Sequence, residues 1–570
     1  MRRQRIDATG RNDDMILLGA AAALAVAAVG GSWTSVHLAA WAQGRRPAPG
    51  DPLRLFWDLV RGHAHWTAAD TWAAAGMAVL VLVGVVAGIL LWPKSRKVEA
   101  DRAARHLGKG AVVARLGRQG SSRVGSRLGH AAPGLPLGVA VAGGRPLFAS
   151  WEDVAVMIAG PRTSKTSSFA IPAVLAAPGP CFATSNKRDL VDATATVRAN
   201  LGSVWTFDPE SVANAPASWA WDPLSFITTR DEHGRLVDAS ETKAERLAAQ
   251  IATSARPLGA KVDAYFDGEA ESLLGLLLLA AAVGGEQVTA VYGWLTDPAD
   301  LTPTDHLAAH GFGLQHQALT ALAGLPTKQQ QGIYGTARGL VGFLRNRAVL
   351  PWVTPSPGRP AFSPEDFAAS TDTLYLLSRE GTASVAPLVG ALTLAVLVAL
   401  EERATAAGGR LAVPAVGVLD EAANVARLRD LAALYSHMGS RGIVLLTILQ
   451  SWAQGCNAWG DHGMEALWSA ANLKLYGGGN DDDRFLQRLS NAVGITEQLT
   501  RSASVGSGKR TVTRSVRDVP ILTPAELRAL PAGRALLLPS GMPPVLVRAV
   551  PWWDGEHAAA VRASLAAAAS

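Results

Sequence analysis

A chain of 570 residues is too long for one ordinary hydrophobic core, so at least two folded units are expected. Its two cysteines, Cys181 and Cys456, lie in apolar segments without CxxC spacing, which argues against a disulfide framework or a structural zinc site. The net charge of +6 permits a polyanionic partner but does not identify one.

Apolar residues make up 49% of the chain, and much of the excess sits near the N-terminus. Residues Met15 to Trp33 and Trp72 to Trp92 each approach the roughly 20 residues that cross a bilayer as a helix. Trp33, Trp72 and Trp92 fall at segment ends, where amphipathic rings favour the headgroup zone. Arg2, Arg3, Arg5 and Arg11 precede the first segment, and Lys94, Arg96, Lys97, Arg102 and Arg105 follow the second. The positive-inside rule then places both termini in the cytoplasm, with a short loop from about Thr34 to Thr71 outside. A cleaved signal peptide ending near Ala40-Trp41-Ala42 is the rival, but Asp13 and Asp14 directly before the apolar run fit it poorly.

Residues from Lys94 to about Pro133 are rich in Arg and Gly and read as a solvated juxtamembrane linker attracted to anionic headgroups. From Leu147 the pattern becomes α/β. Apolar strands are expected at Val154–Ile158, Cys181–Ser185 and Val204–Asp208, with helices from Thr166 to Ala176, kinked by Pro172, and from Asn186. Such alternation implies a parallel sheet covered on both faces. Amphipathic runs at Ala244–Ser254, Glu269–Val283 and Gln331–Arg345 then predict an all-helical insertion. Strands resume at Thr373–Leu377, Ala415–Leu419, Ile443–Leu449, Leu473–Tyr476 and Ala535–Leu538, and the Ala-rich tail from His557 predicts a terminal helix.

The first chemical signal is Gly160-Pro161-Arg162-Thr163-Ser164-Lys165-Thr166-Ser167, between an apolar strand and a helix. This is the layout of a phosphate-binding loop, in which backbone N–H groups and a helix N-terminus cradle a triphosphate. Lys165 would reach the β- and γ-phosphates of ATP, and the Thr166 hydroxyl would sit on Mg²⁺. The pattern asks for Gly at 159 and 164, where this chain has Ala159 and Ser164. The second signal is Ala415-Val-Gly-Val-Leu-Asp-Glu421, a buried strand delivering two carboxylates in the Walker B manner. Asp420 would belong to the Mg²⁺ shell and Glu421 would polarise the attacking water. Gln450, at the end of the next apolar strand, is placed to sense the γ-phosphate or orient water; a polar pair starting a helix is the alternative. Arg441 precedes that strand and is a candidate arginine finger acting on a neighbouring subunit. Gly477–Asp483 follows another strand and could approach the nucleotide, but a flexible turn is the preferred reading, and Gly506-Ser-Gly-Lys509 reads as a mobile surface loop.

In this order the pieces resemble the type IV coupling proteins, the TraG/TraD-like conjugative DNA-transfer ATPases. The resemblance rests on Ile158–Ser167 leading to Ile171-Pro172, Ser185-Asn-Lys-Arg-Asp189, Leu419-Asp-Glu-Ala-Ala-Asn424, Ile448-Leu-Gln-Ser451 and Thr523-Pro-Ala-Glu-Leu-Arg-Ala-Leu-Pro531, after two N-terminal spans. It implies an α/β RecA-like P-loop NTPase core with an inserted all-α domain, preceded by two transmembrane helices. The corresponding boundaries are 1–93 for the anchor, 94–135 for the linker, 136–240 and 350–552 for the nucleotide-binding core, 241–349 for the insertion and 553–570 for the tail. It also implies a homo-hexamer at the inner membrane, using ATP and Mg²⁺ to pass DNA or a relaxase–DNA complex to the other components of a secretion channel. An FtsK-like intracellular pump for double-stranded DNA and a non-hydrolysing membrane receptor are the competing functions. No base-reading element is identifiable, so DNA contact is expected to be largely sequence-independent.

Overall fold

Residues 28–46, 50–91, 99–379, 385–506 and 509–569 are described by the computed structural model. They belong to two units, residues 1–97 and 98–570. In the first unit, residues 28–42, Pro52–Val60 and Ala68–Leu91 are helical. Asp51 caps the second of these helices by accepting the Leu53 N–H at 2.9 Å. Most of the first expected span lies outside the described residues. The second expected span falls on helix Ala68–Leu91, whose side chains from residue 80 onward are also outside them. Among the described residues no helix is long and apolar enough to cross a membrane. The anchor therefore rests on the sequence pattern alone. The expected outer loop is largely helical, because residues 28–42 run past Trp33 without a break.

The second unit is built on strands β1 (Leu135–Ala140), β2 (Pro146–Ala149), β3 (Ala155–Ile158), β4 (Cys181–Ser185), β5 (Val204–Phe207), β6 (Thr228–Arg230), β7 (Leu236–Ala239), β8 (Thr373–Leu377), β9 (Ala415–Leu419), β10 (Ile443–Leu449), β11 (Leu473–Tyr476), β12 (Ile495–Gly506), β13 (Lys509–Pro520), β14 (Arg534–Pro539) and β15 (Val545–Arg548). Eleven of them form one sheet in the order β2-β1-β15-β14-β11-β3-β10-β9-β4-β8-β5. From β11 to β5 every pairing is parallel, and β14, β15, β1 and β2 add an antiparallel edge.

Strands β3, β4, β8, β9 and β10 are buried at every position and mostly apolar because both faces are covered. Val154, Val156 and Ile158 join one apolar cluster, while Ala155, Met157 and Ala159 join the other. The same period of two divides Leu374 and Leu376 from Tyr375 and Leu377. Helices Glu241–Ala255, Phe266–Gly284 and Ala386–Ala406 share the first cluster. The helices of 241–340 thus form one continuous core with the sheet. On the opposite face lie helices Ile171–Ala176 and Asp189–Arg198, with the terminal helix Ala558–Ala569 held by Ser564 Oγ donating to Asp192 O at 2.7 Å.

Two expectations are corrected. The supposed solvated linker is folded from Glu99 on, as a 3₁₀ turn (Glu99–Arg105) and helices Ala111–Leu116 and Arg118–Arg127. Val112, Val113 and Leu116 are buried against the sheet edge, and Arg534 grips Asp101 through bonds of 2.7 and 2.9 Å. Helices of six and ten residues hold too few apolar positions to show a period. Gly506 and Lys509, expected in a mobile surface loop, are instead paired at the end of a long hairpin, in which β12 and β13 pair over twelve registers, about 40 Å at ~3.4 Å per residue; residues 507 and 508 between them lie outside the described residues.

Candidate functional site

Strand β3 ends against the Gly477–Asn480 turn, whose approach to the nucleotide loop is the less favoured of two expectations. Gly160 donates its N–H to Gly478 O at 2.9 Å, and a Cβ at 160 would stand 1.9 Å from Gly479 O. Only glycine fits, so the Gly477–Asn480 turn is the back wall of the loop. The neighbouring acids hold structure: Asp482 caps helix Asp483–Val493, and Asp481 pairs with Arg528 at 2.8 Å.

Beyond Gly160 the backbone takes positive φ at Arg162 (60°) and Ser164 (66°). Lys165 then returns to the right-handed region with φ −56° and ψ −50°. A left-handed residue followed by a right-handed one turns successive N–H groups to one side, which makes an anion-binding nest. Thr163 Oγ1 donates to Gly160 O at 2.7 Å, and Ser164 O accepts from Ser168 N at 2.9 Å and Ser167 Oγ at 3.3 Å. The first turn after the loop, Thr166–Ala170, is a π-helix, with Ile171 N–H reaching back to Thr166 O. Pro172 carries no N–H, so an α register cannot run through it unbroken, and the widened turn accommodates the kink.

The carboxylates arrive from β9. Lys165 Nζ lies 2.8 Å from Glu421 Oε1, with side-chain exposures of 12% and 5%. Glu421 Oε2 accepts from Gln450 Nε2 at 2.7 Å. Thr166 Oγ1 donates to Asp420 Oδ2 at 3.1 Å. Glu421 itself stands in the left-handed region (φ 54°, ψ 40°) at the start of the short helix Ala422–Val425. Burial, followed by the charge of Glu421, pushes the Asp420 carboxyl up to about 6 against the opposing pull of Lys165 and Thr166. Five residues from three separated segments are therefore joined in two adjacent sets of contacts, Gln450–Glu421–Lys165 beside Asp420–Thr166.

The other Asp420 oxygen, Oδ1, is buried without a hydrogen-bond partner. A buried unpartnered carboxylate oxygen beside a threonine hydroxyl fits Mg²⁺, which takes one or two carboxylates together with substrate phosphates. Asp420 and Thr166 are the residues that would hold it, and Thr184 fixes the Asp420 backbone by donating to its carbonyl at 2.9 Å. Pro161 and Arg162 are exposed at the loop tip. Arg441 is not brought to this site. It precedes the opposite end of β10 and is bound within its own chain, to Glu401 at 3.2 Å and Thr405 Oγ1 at 3.0 Å.

A phosphate-cradling loop at the carboxyl end of β3, with paired acids on β9 and an amide on the strand between them, defines an α/β P-loop NTPase fold. A family described as the TraM recognition site of TraD and TraG matches residues 414–532, which carry Asp420, Glu421, Gln450 and the 477–480 turn. The chain is 23% identical over 407 residues to the VirD4 protein of Rhizobium rhizogenes and 24% identical to that of Agrobacterium fabrum. Each alignment covers 70% of this chain and 58% of the relative, so the chain spans under two thirds of the curated relatives it matches. The solved bacterial conjugative coupling protein TrwBdeltaN70, in complex with sulphate, shares the fold with a TM-score of 0.52 at 16% identity, over 70% of this chain and 86% of that one. Its unbound form gives 0.50 at 15% identity. The chain is thus similar to the VirD4 proteins over most of its length and, in fold, to the conjugative coupling protein TrwBdeltaN70.

Proposed function

We propose that this chain is a membrane-anchored ATPase that couples ATP hydrolysis to recruitment and export of DNA, or of a relaxase–DNA complex, through a type IV secretion channel. The observation that carries the reading is the convergence of Lys165 and Gln450 on Glu421, each within hydrogen-bonding distance of its carboxylate. In this reading Lys165 exchanges Glu421 for the phosphates, releasing the Glu421 carboxylate to accept a proton from water that Gln450 orients. Thr166 and Asp420 would hold Mg²⁺, which when bound would neutralise charge developing on the phosphates. The N-terminal sequence pattern supports the anchor and the cytoplasmic placement of the site, and the resemblance to type IV coupling proteins supports the homo-hexamer.

The test is ATP hydrolysis by the full-length chain in detergent, with and without single- and double-stranded DNA, across a salt series. Expected are a rate stimulated by DNA, a stimulation that fades steeply as salt rises because phosphate contacts release counterions, and loss of turnover in Lys165→Ala and Glu421→Gln. Absence of stimulation by either DNA overturns the motor. Normal DNA transfer by a Lys165→Ala strain instead establishes a non-hydrolysing receptor.

A further inference from the structure

Glu421 is a non-glycine residue held at φ 54°, a conformation that persists only where its surroundings over-determine it. On its N-terminal side Thr184 and Thr166 hold Asp420. On its C-terminal side the four-residue helix Ala422–Val425 leads directly into Arg427–Arg429, and those residues are gripped from outside the nucleotide-binding strands.

The grip comes from helix Glu241–Ala255 of the insertion. The Gln250 carboxamide spans two peptide units: its Nε2 donates to Arg427 O at 2.9 Å, and its Oε1 accepts from Arg429 N at 3.0 Å. Ser254 Oγ adds a bond to the same Arg427 carbonyl at 3.2 Å. The Arg427 guanidinium answers in the other direction, donating to Thr253 O and Arg256 O at the C-terminus of that helix. Those carbonyls have no partner within the helix, and a cation there also meets the negative end of its dipole. Gln250 is 2% exposed and is seated against Gly390, where a Cβ would stand 2.5 Å from its Nε2. Arg427 is 6% exposed. A buried arginine that bonds to carbonyl oxygens is an expensive way to fill space.

A second fastening closes the frame. Leu428 O accepts from Trp459 Nε1 at 2.8 Å, and Trp459 stands on helix Trp452–Ala470, which begins just after Gln450. The segments that meet at Glu421–Gln450 meet again at Leu428–Trp459, and Gln250 and Arg427 tie that second junction to the insertion.

We propose that Gln250 and Arg427 are positioning residues for Glu421, a clasp through which the helical insertion sets where the Glu421 carboxylate stands and feels its displacement when nucleotide binds. This rests on the reading of Glu421 as the group that activates water. The test compares Arg427→Met, Arg427→Lys and Gln250→Leu with wild type and Glu421→Gln in the full-length chain. Readouts are kcat and KM for ATP, affinity for a fluorescent ATP analogue, and hydrogen exchange of residues 241–256 with and without that analogue. Expected are an analogue affinity within about twofold of wild type, a kcat reduced at least tenfold in Arg427→Met with KM unchanged, and a two- to threefold loss in Arg427→Lys. Analogue binding should alter exchange at 250–256 in wild type and leave it unaltered in Arg427→Met. If Arg427→Met does not fold, Arg427→Lys and Gln250→Leu decide by the same split between kcat and KM. Wild-type kcat in these variants, or an equal loss of kcat and analogue affinity, overturns the clasp while an inactive Glu421→Gln upholds the reading beneath it. Full turnover by Glu421→Gln overturns both.

Discussion

Removing the Lys165 side chain tests the assembled site without relying on catalysis. The ammonium stands 2.8 Å from Glu421, and the two side chains are 12% and 5% exposed, so water screens the pair little. At an effective dielectric of about 20, charges at that distance attract by about 6 kcal/mol, and breaking such a pair typically costs about 3–5 kcal/mol once desolvation is counted. In Lys165→Ala, Glu421 retains its bond to Gln450 but faces Asp420 with no cation between them. For the roughly 470 residues of the second unit the unfolding entropy is about 1 kcal/mol per kelvin, so Tm should fall by about 3–5 °C in the absence of nucleotide. The loss should be larger at pH 8 than at pH 5, because Lys165 holds Asp420 down and, without it, a proton at low pH replaces the missing charge. Glu421→Gln in the same chain should recover most of the loss, since a neutral amide keeps the shape and removes the stranded carboxylate. Differential scanning fluorimetry of both single variants and the double variant over that pH range measures the cycle. A Tm unaffected by Lys165→Ala, or a loss that neither pH nor Glu421→Gln relieves, would refute a buried Lys165–Glu421 pair.

Gly160→Ala places a methyl group 1.9 Å from Gly479 O, so the loop and its back wall must separate; titration with a fluorescent ATP analogue should show at least a hundredfold weaker binding, and near-normal binding would dispose of the back-wall role. Ser164→Gly removes a left-handed penalty of about 1–2 kcal/mol but adds about 0.5–1 kcal/mol of chain entropy. Tm should therefore rise by no more than about 1 °C with analogue affinity unchanged, whereas Ser164→Val, β-branched at φ 66°, should weaken binding at least tenfold. Asp420, raised to about 6, makes the metal-free protein favour low pH. Its proton is bound more tightly in the folded chain, so stability is fully present below the ordinary carboxylate range and falls by about 3 kcal/mol as pH rises from about 4 to about 6. Mg²⁺ requires the ionised carboxylate, so its apparent affinity with nucleotide, followed by calorimetry, should drop about tenfold per unit below pH 6; a flat profile there would contradict the assignment.

What the sequence made legible follows from where the physics is local. Buried parallel strands are mostly apolar runs, so β3, β4, β5, β8, β9, β10 and β11 stood out, and Lys165, Asp420 and Gln450 follow the carboxyl ends of three of them. The helical insertion was visible because helices Glu241–Ala255 and Phe266–Gly284 are long enough to repeat a period. Strands β1, β2 and β15, on the antiparallel flank of the sheet, are too short or too irregular to give such a signal, and β12 and β13 stand apart as a two-stranded sheet. The back wall was missed for another reason. Gly477–Asn480 resembles any flexible turn, and its importance lies in Gly160, a partner more than 300 positions away. A flag was nevertheless present: Gly160 is the single glycine of the loop, at a position where the pattern asks for none.

Strand register explains why the acids and the amide meet. In the parallel pairing Leu419 lies opposite Thr447, and Ile158 lies opposite Leu449. Strand β9 therefore stops two positions short of β10, and Glu421, two residues further on, comes level with the end of its neighbour, where Gln450 begins. The left-handed turn at Glu421 keeps the chain there instead of carrying the carboxylate past it. The same accounting shows how the loop tolerates Ser164. Its strained φ costs about 1–2 kcal/mol, while the bonds from Ser168 N and Ser167 Oγ to Ser164 O, from Thr163 Oγ1 to Gly160 O, and the Lys165–Glu421 pair all depend on that backbone path. A glycine would make the path easier to adopt; the contacts on either side already hold it.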